Sequence, residues 1–148
     1  SIWQWGSTWA LLESPPLKDA SAPTSQTQKL IWEEWSADKV ATAQKVGRPV
    51  FVDFTAAWCV TCQFNKKTTF SDASLLAEFS SRNVLLLRAD WTRNDPSITA
   101  ALNELGRNGL PVYAWYAPGQ PVSLLSELIT VKEIQSYLSQ LKSSPIKQ

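Results

Sequence analysis

Val52-Asp53-Phe54-Thr55-Ala56-Ala57-Trp58-Cys59-Val60-Thr61-Cys62 is the stretch on which the reading of this chain turns. Its first residues belong to the apolar run Val50–Phe54, which barely alternates and so predicts a strand buried on both faces. Its last residues hold the only two cysteines of the chain, spaced Cys-x-x-Cys. A pair that follows a strand directly and opens a helix stands where this spacing reads as a redox dithiol. Residues i and i+3 of a helical turn bring two sulfurs within bonding reach. The first cysteine faces the unsatisfied N–H groups of the helix start, which stabilise a thiolate and lower its pKa.

Two blander readings compete. A static disulfide would contribute little, because so short a loop hardly restricts the unfolded chain. Half a zinc or copper site would need further ligands, and the sequence has no histidine, no methionine and no third cysteine. No metal site is therefore expected.

Working outward, Leu30–Trp32 is expected to be a short strand. Ser36 caps a helix over about Ala37–Val46, which Gly47 and the extended Arg48-Pro49 pair end. Beyond the cysteines, a second helix starts at Ser71 or Asp72 with Leu75, Leu76 and Phe79 on one face. Val84–Ala89 is another buried strand. Asp95-Pro96 is an N-cap followed by proline at the first helical position, and Ile98, Ala101, Leu102 and Leu105 form a helical stripe behind it. Val112–Tyr116 is a strand, Pro118-Gly119 a turn, and Val122–Leu125 the other arm of a hairpin. Thr130 and Glu133 form a capping box for a last helix carrying Val131, Ile134, Tyr137, Leu138 and Leu141. Parallel strands crossed by helices, then a hairpin and a closing helix, make an α/β domain.

Composition limits the chemistry. At 148 residues the chain suits one compact domain. A net charge of +1 supplies no basic footprint for nucleic acid. The absence of histidine excludes Ser-His-Asp and Cys-His catalysis. With no methionine either, Ser1 is expected to be a cleavage product or the edge of an excised piece. No apolar run approaches the roughly 20 residues of a membrane-spanning helix. Residues 1–29 differ from the remainder: Ser1–Leu12 is rich in tryptophan, and Glu13–Lys29 has a linker's Pro/Ser/Thr/Gln composition. Trp3, Trp5 and Trp9 either pack on the domain or mark the interfacial end of a preceding membrane helix. The division expected is thus 1–29 as a tryptophan-rich segment and linker, and 30–148 as the folded domain.

The segment Val52–Cys62 resembles the thioredoxin active site, and Gly109-Leu110-Pro111 resembles the thioredoxin cis-proline loop. The finer resemblance is to the C-terminal periplasmic domain of the DsbD family of thiol:disulfide interchange proteins. Trp58-Cys59-Val60-Thr61-Cys62, Thr69-Phe70-Ser71-Asp72 and Ala89-Asp90-Trp91-Thr92-Arg93-Asn94-Asp95 carry it, and one subgroup of that family is associated with copper tolerance. The resemblance implies a thioredoxin fold, with a central mixed sheet flanked by helices and an N-terminal extension. It implies a periplasmic protein-disulfide reductase module tethered to the inner membrane. Electrons would come from an upstream membrane-embedded domain, fed by cytoplasmic thioredoxin, and pass to periplasmic thiol proteins. No dissociable cofactor is implied, since the Cys59–Cys62 pair carries the electrons, and the isolated domain is expected to be monomeric. A dithiol oxidase or isomerase, or a non-catalytic binding or copper-handling domain, are the alternatives.

Further residues acquire roles in this light. Asp53 is an acid inside an apolar strand, either reaching water at the strand end or acting as the acid/base that takes the proton from Cys62. Pro111 is either an ordinary strand-start proline or, as expected here, a cis-proline that faces the cysteines and leaves the Leu110 backbone free to pair with an extended substrate. Trp58 would shield Cys59 and dock partners. Lys66 and Lys67 read as a solvated helix face, with a weak positive field that favours the thiolate as the alternative. Ala57 stands where thioredoxin commonly has an acidic residue, so its thiol pKa values do not transfer.

Overall fold

The computed structural model describes residues 31–141. The expectations for Ser1–Lys29, for Leu30 and for the C-terminal tail lie outside the described residues. Ten elements follow in order: β1 (Glu33–Glu34), α1 (Ala37–Lys45), β2 (Val50–Thr55), α2 (Val60–Thr68), α3 (Ala73–Ser81), β3 (Leu85–Asp90), α4 (Pro96–Glu104), β4 (Val112–Tyr116), β5 (Ser123–Leu124) and α5 (Val131–Leu138). The strands form one sheet in the order β1-β3-β2-β4-β5. β3 runs parallel to β1 and β2, whereas β4 is antiparallel to β2 and β5.

The helix starts are those the caps predict. Ser36, Asp72, Asp95 and Thr130 each accept a backbone N–H from the first turn that follows them, and Pro96 opens α4. Gly47 closes α1 at φ 73°, a left-handed conformation that costs glycine nothing. Two expectations need correction. The first strand is Glu33–Glu34, just beyond Trp32, whose ring is buried against Phe51 and Phe70. Thr130 does cap α5, but the Glu133 carboxylate turns to the Ser126 N–H and hydroxyl, so the capping box is half made.

All six residues of β2 are buried, as its unbroken apolar run requires. Their alternation still sorts them between two layers. Val50, Val52 and Phe54 join Leu85, Leu87 and Ala89 of β3 and Val112 and Ala114 of β4 in an aliphatic layer, to which α1 and α4 add Val40, Ala43, Ile98 and Leu102. On the opposite face Phe51 meets the rings of Trp32, Phe70, Phe79 and Tyr113 at centroid distances between 5.6 and 6.2 Å. No helix among the described residues is long and apolar enough to cross a membrane.

Candidate active site

β2 delivers the chain to the cysteines. After Thr55 a short turn, closed by the Cys59 N–H donating to the Ala56 carbonyl at 3.2 Å, places Cys59 as the N-cap of α2. Cys59 and Cys62 are joined by a disulfide, with Cα atoms 5.2 Å apart. The Cys62 N–H donates to Cys59 Sγ at 3.1 Å, so one of the free donors at the helix start already points at that sulfur. Cys59 retains 7% exposure and Cys62 only 1%, which makes Cys59 the sulfur a partner can reach.

Leu110 packs against Ala56, Cys59 and Cys62, and the Leu110–Pro111 peptide is cis. The proline loop and the dithiol, distant in sequence, are thereby brought together. Trp58 stands beside them with 54% of its surface exposed, yet its indole N–H donates to the Thr92 carbonyl at 3.1 Å and its ring lies 6.1 Å from that of Trp91.

Asp53 lies on the aromatic face of β2 with 1% exposure, so it does not reach water at a strand end. Sequence reading missed its partner. Arg88 is its register neighbour on β3, and Arg88 Nε donates to Asp53 Oδ2 at 3.0 Å. The guanidinium also sits 4.2 Å above the Trp32 ring, a cation–π contact. Asp53 Oδ1 and Arg88 Nη2 are buried without a hydrogen-bond partner among the described residues. Burial pushes the Asp53 carboxyl above its ordinary range, the Arg88 charge and hydrogen bond oppose that rise, and Lys66 opposes it from farther off. The only sequence signal for Arg88 was a charge inside the otherwise apolar run Val84–Ala89.

Lys66 also departs from expectation. Lys67 is exposed, but Lys66 is half-buried, its ammonium held below the usual lysine range by desolvation, with the Asp53 and Asp90 carboxylates opposing and Arg88 reinforcing that fall. It lies one helical turn beyond Cys62 on α2, so the same helix face carries the buried sulfur and this cation. Asp53, Arg88, Lys66 and Asp90 thus form one group of interacting charges shared by β2, β3 and α2. Asn65, fully buried on the same helix, donates to the Tyr113 hydroxyl at 2.7 Å and to the Glu127 carbonyl at 2.8 Å, tying α2 to β4 and to the loop before α5.

A buried sheet with a dithiol at the head of the helix after its central strand, faced by a cis-proline loop, is the architecture of the thioredoxin class. A thioredoxin-like family profile matches residues 31–118, and the chain belongs to that family. It is 36% identical over 120 residues to the thiol:disulfide interchange protein DsbD of Yersinia enterocolitica, an alignment that covers 76% of this chain and 20% of that protein. To the DsbD of Vibrio vulnificus it is 38% identical over 86 residues, 57% of this chain and 14% of the other. The chain therefore spans about a fifth or less of the length of these relatives. The C-terminal domain of Neisseria meningitidis DsbD in its oxidised form superposes with a TM-score of 0.59 at 20% identity, covering 74% of this chain and 99% of that one. Fold, family and the Cys59–Cys62 disulfide together define a thioredoxin-like domain with a disulfide at the head of α2.

Proposed function

We propose that the domain is a reductant relay, accepting electrons from a membrane-embedded domain of the same protein and passing them to oxidised thiol proteins on the periplasmic side. The observation that carries this reading is the asymmetry of the two sulfurs: Cys59 caps α2 and meets solvent, while Cys62 is shut inside. In the reduced state the Cys59 thiolate attacks one sulfur of a partner disulfide. That S–S bond breaks, a mixed disulfide forms, and the partner's other sulfur leaves as a thiolate. Cys62 then gives up its proton and attacks Cys59 Sγ, which releases the partner's second thiol and leaves Cys59–Cys62 oxidised. Two electrons have moved, and an upstream dithiol restores the pair by the same exchange. No dissociable cofactor takes part.

Asp53 is assigned the proton from Cys62. Lys66, which interacts with Asp53 and lies one turn beyond Cys62 on α2, supports this assignment. Arg88 occupies Oδ2 and leaves Oδ1 open. A carboxyl raised by burial is a better proton acceptor than one at its ordinary value. Leu110, packed on the pair, and the cis Pro111 that follows it are assigned the backbone edge for an extended partner segment.

The reducing direction is supported by the likeness to DsbD and by Val60-Thr61, which place no cation between the sulfurs. Thiolate stabilisation is what makes a strong oxidant. The nearby cations, Lys66 and Arg88, are balanced by Asp53 and Asp90. The expected reduction potential is nearer thioredoxin's, about −270 mV, than the roughly −120 mV of a strong periplasmic oxidant. Equilibration with a dithiothreitol or glutathione series, with free thiols counted, measures it; a value above about −170 mV would favour an oxidase or isomerase instead. In the same preparation Cys62→Ser should accumulate a mixed disulfide through Cys59, and Cys59→Ser should accumulate none.

A further inference from the structure

The loop that follows β3 holds the residues just before Cys59 by side chain and backbone together. Thr92 Oγ1 accepts the Ala57 N–H at 2.8 Å and donates its own proton to Asp90 Oδ1. The Thr92 carbonyl accepts the Trp58 indole N–H at 3.1 Å, and the Thr92 N–H donates to Asp90 Oδ1 at 3.0 Å. The Trp91 ring packs on Trp58, and its indole N–H donates to Thr99 Oγ1 on α4 at 2.7 Å. The loop is therefore tied to the end of β3 through Asp90 and to α4 through Thr99.

This bracing is odd for its location. Trp58 is 54% exposed, so core packing does not account for holding it. A large ring fixed in one rotamer at the surface has lost its freedom before any partner arrives, which lowers the entropy cost of docking against it. Asp90 decides which way the hydroxyl works: by accepting the Thr92 O–H hydrogen bond it leaves an oxygen lone pair for the Ala57 N–H.

We propose that Thr92 is a positioning residue of the exchange reaction, its hydroxyl and carbonyl holding Ala57 and Trp58 as a pre-formed docking surface for a disulfide-bearing protein segment. The inference rests on the exchange chemistry of Cys59 and deepens it by assigning the surface a partner meets. The role is in binding, so it separates from the chemical step.

The test uses insulin as the protein disulfide and dithiothreitol as the electron source, with the intact chain. Thr92→Val keeps the shape and removes the hydroxyl. It should raise the KM for insulin about fivefold, the factor of one ordinary hydrogen bond, with kcat within twofold of wild type. Thr92→Ser keeps the hydroxyl and should restore the wild-type KM. Trp58→Phe, which keeps a ring but lacks the indole N–H, should raise KM in the same direction and serves if Thr92→Val folds poorly. A KM for Thr92→Val within twofold of wild type, a fall in kcat as large as the rise in KM, or failure of serine to rescue would each overturn the assignment. If wild type itself leaves insulin oxidised, the exchange reading fails rather than the clamp.

Discussion

The two faces of the central sheet are both buried, yet they do different work. Under α1 and α4 the fully buried residues are Val, Leu, Ile and Ala with Phe54, and the part-buried rings of Trp35, Trp91 and Tyr116 pack against them. On the other face, a ring cluster around Phe51 gives way to Asp53, Arg88, Lys66 and Asn65 as the sheet approaches the cysteines. The first face excludes water by shape alone. The second tolerates buried charge only because partners are supplied from neighbouring strands and from α2. Chemistry has been confined to one side, so the other is free to be pure packing.

That contrast is most sharply tested by removing Arg88. The partners in this pair are not equivalent, because the guanidinium keeps 22% exposure and the carboxylate 1%. Arg88→Gln strands Asp53 with its charge buried, and should lower stability at neutral pH by about 3 kcal/mol. The loss should shrink as pH falls through the raised Asp53 value, because a protonated carboxyl needs no cation. Denaturant melts at two pH values measure this; an equal loss at both would mean that Arg88 acts through its packing on Trp32 instead.

Asp53→Asn probes the same pair from its buried end. The folded carboxyl is raised above its unfolded value, so the stability it contributes is present at low pH and is lost as pH rises through the raised value. Asparagine has no charge to bury. The variant should therefore be at least as stable as wild type at pH 7, with an advantage that disappears below about pH 4, the unfolded value. Resolution of the mixed disulfide should slow by about 100-fold, the low end of a positioned acid or base. A variant that is plainly less stable but exchanges at the wild-type rate would reduce Asp53 to a structural part.

On the aliphatic side the expected effect is smaller and of another kind. Ser36→Ala removes the cap of α1, whose hydroxyl accepts the Lys39 N–H at 3.1 Å. Stability should fall by about 1 kcal/mol, and the exchange rate and its pH profile should not move. A changed pH profile would show that the two faces are coupled, and the division drawn here would fail.

Much of this protein was legible before any coordinates. The caps at Ser36, Asp72 and Asp95, the buried run Val50–Phe54 and the strand Val112–Tyr116 are local signals, each set by residues a few positions apart, and the structure keeps all of them. Cys59 at the head of a helix was equally local. Glu133 shows where local reading ends: its spacing from Thr130 fits a capping box, but Ser126 offered its carboxylate two donors at once. Arg88 shows it more plainly. Nothing near it in sequence names Asp53 as its partner; the parallel register of β2 and β3 does, by aligning two residues that are 35 positions apart. Lys66 looked solvated because the strands it faces come from elsewhere in the chain. Sequence by itself determined the helix starts, the strands after the first, the α/β class and the dithiol, since those rest on periodicity, caps and covalent spacing. Which charges meet beneath the dithiol, and which loop braces Trp58, was decided only by tertiary structure, because electrostatic partners are chosen by distance in space.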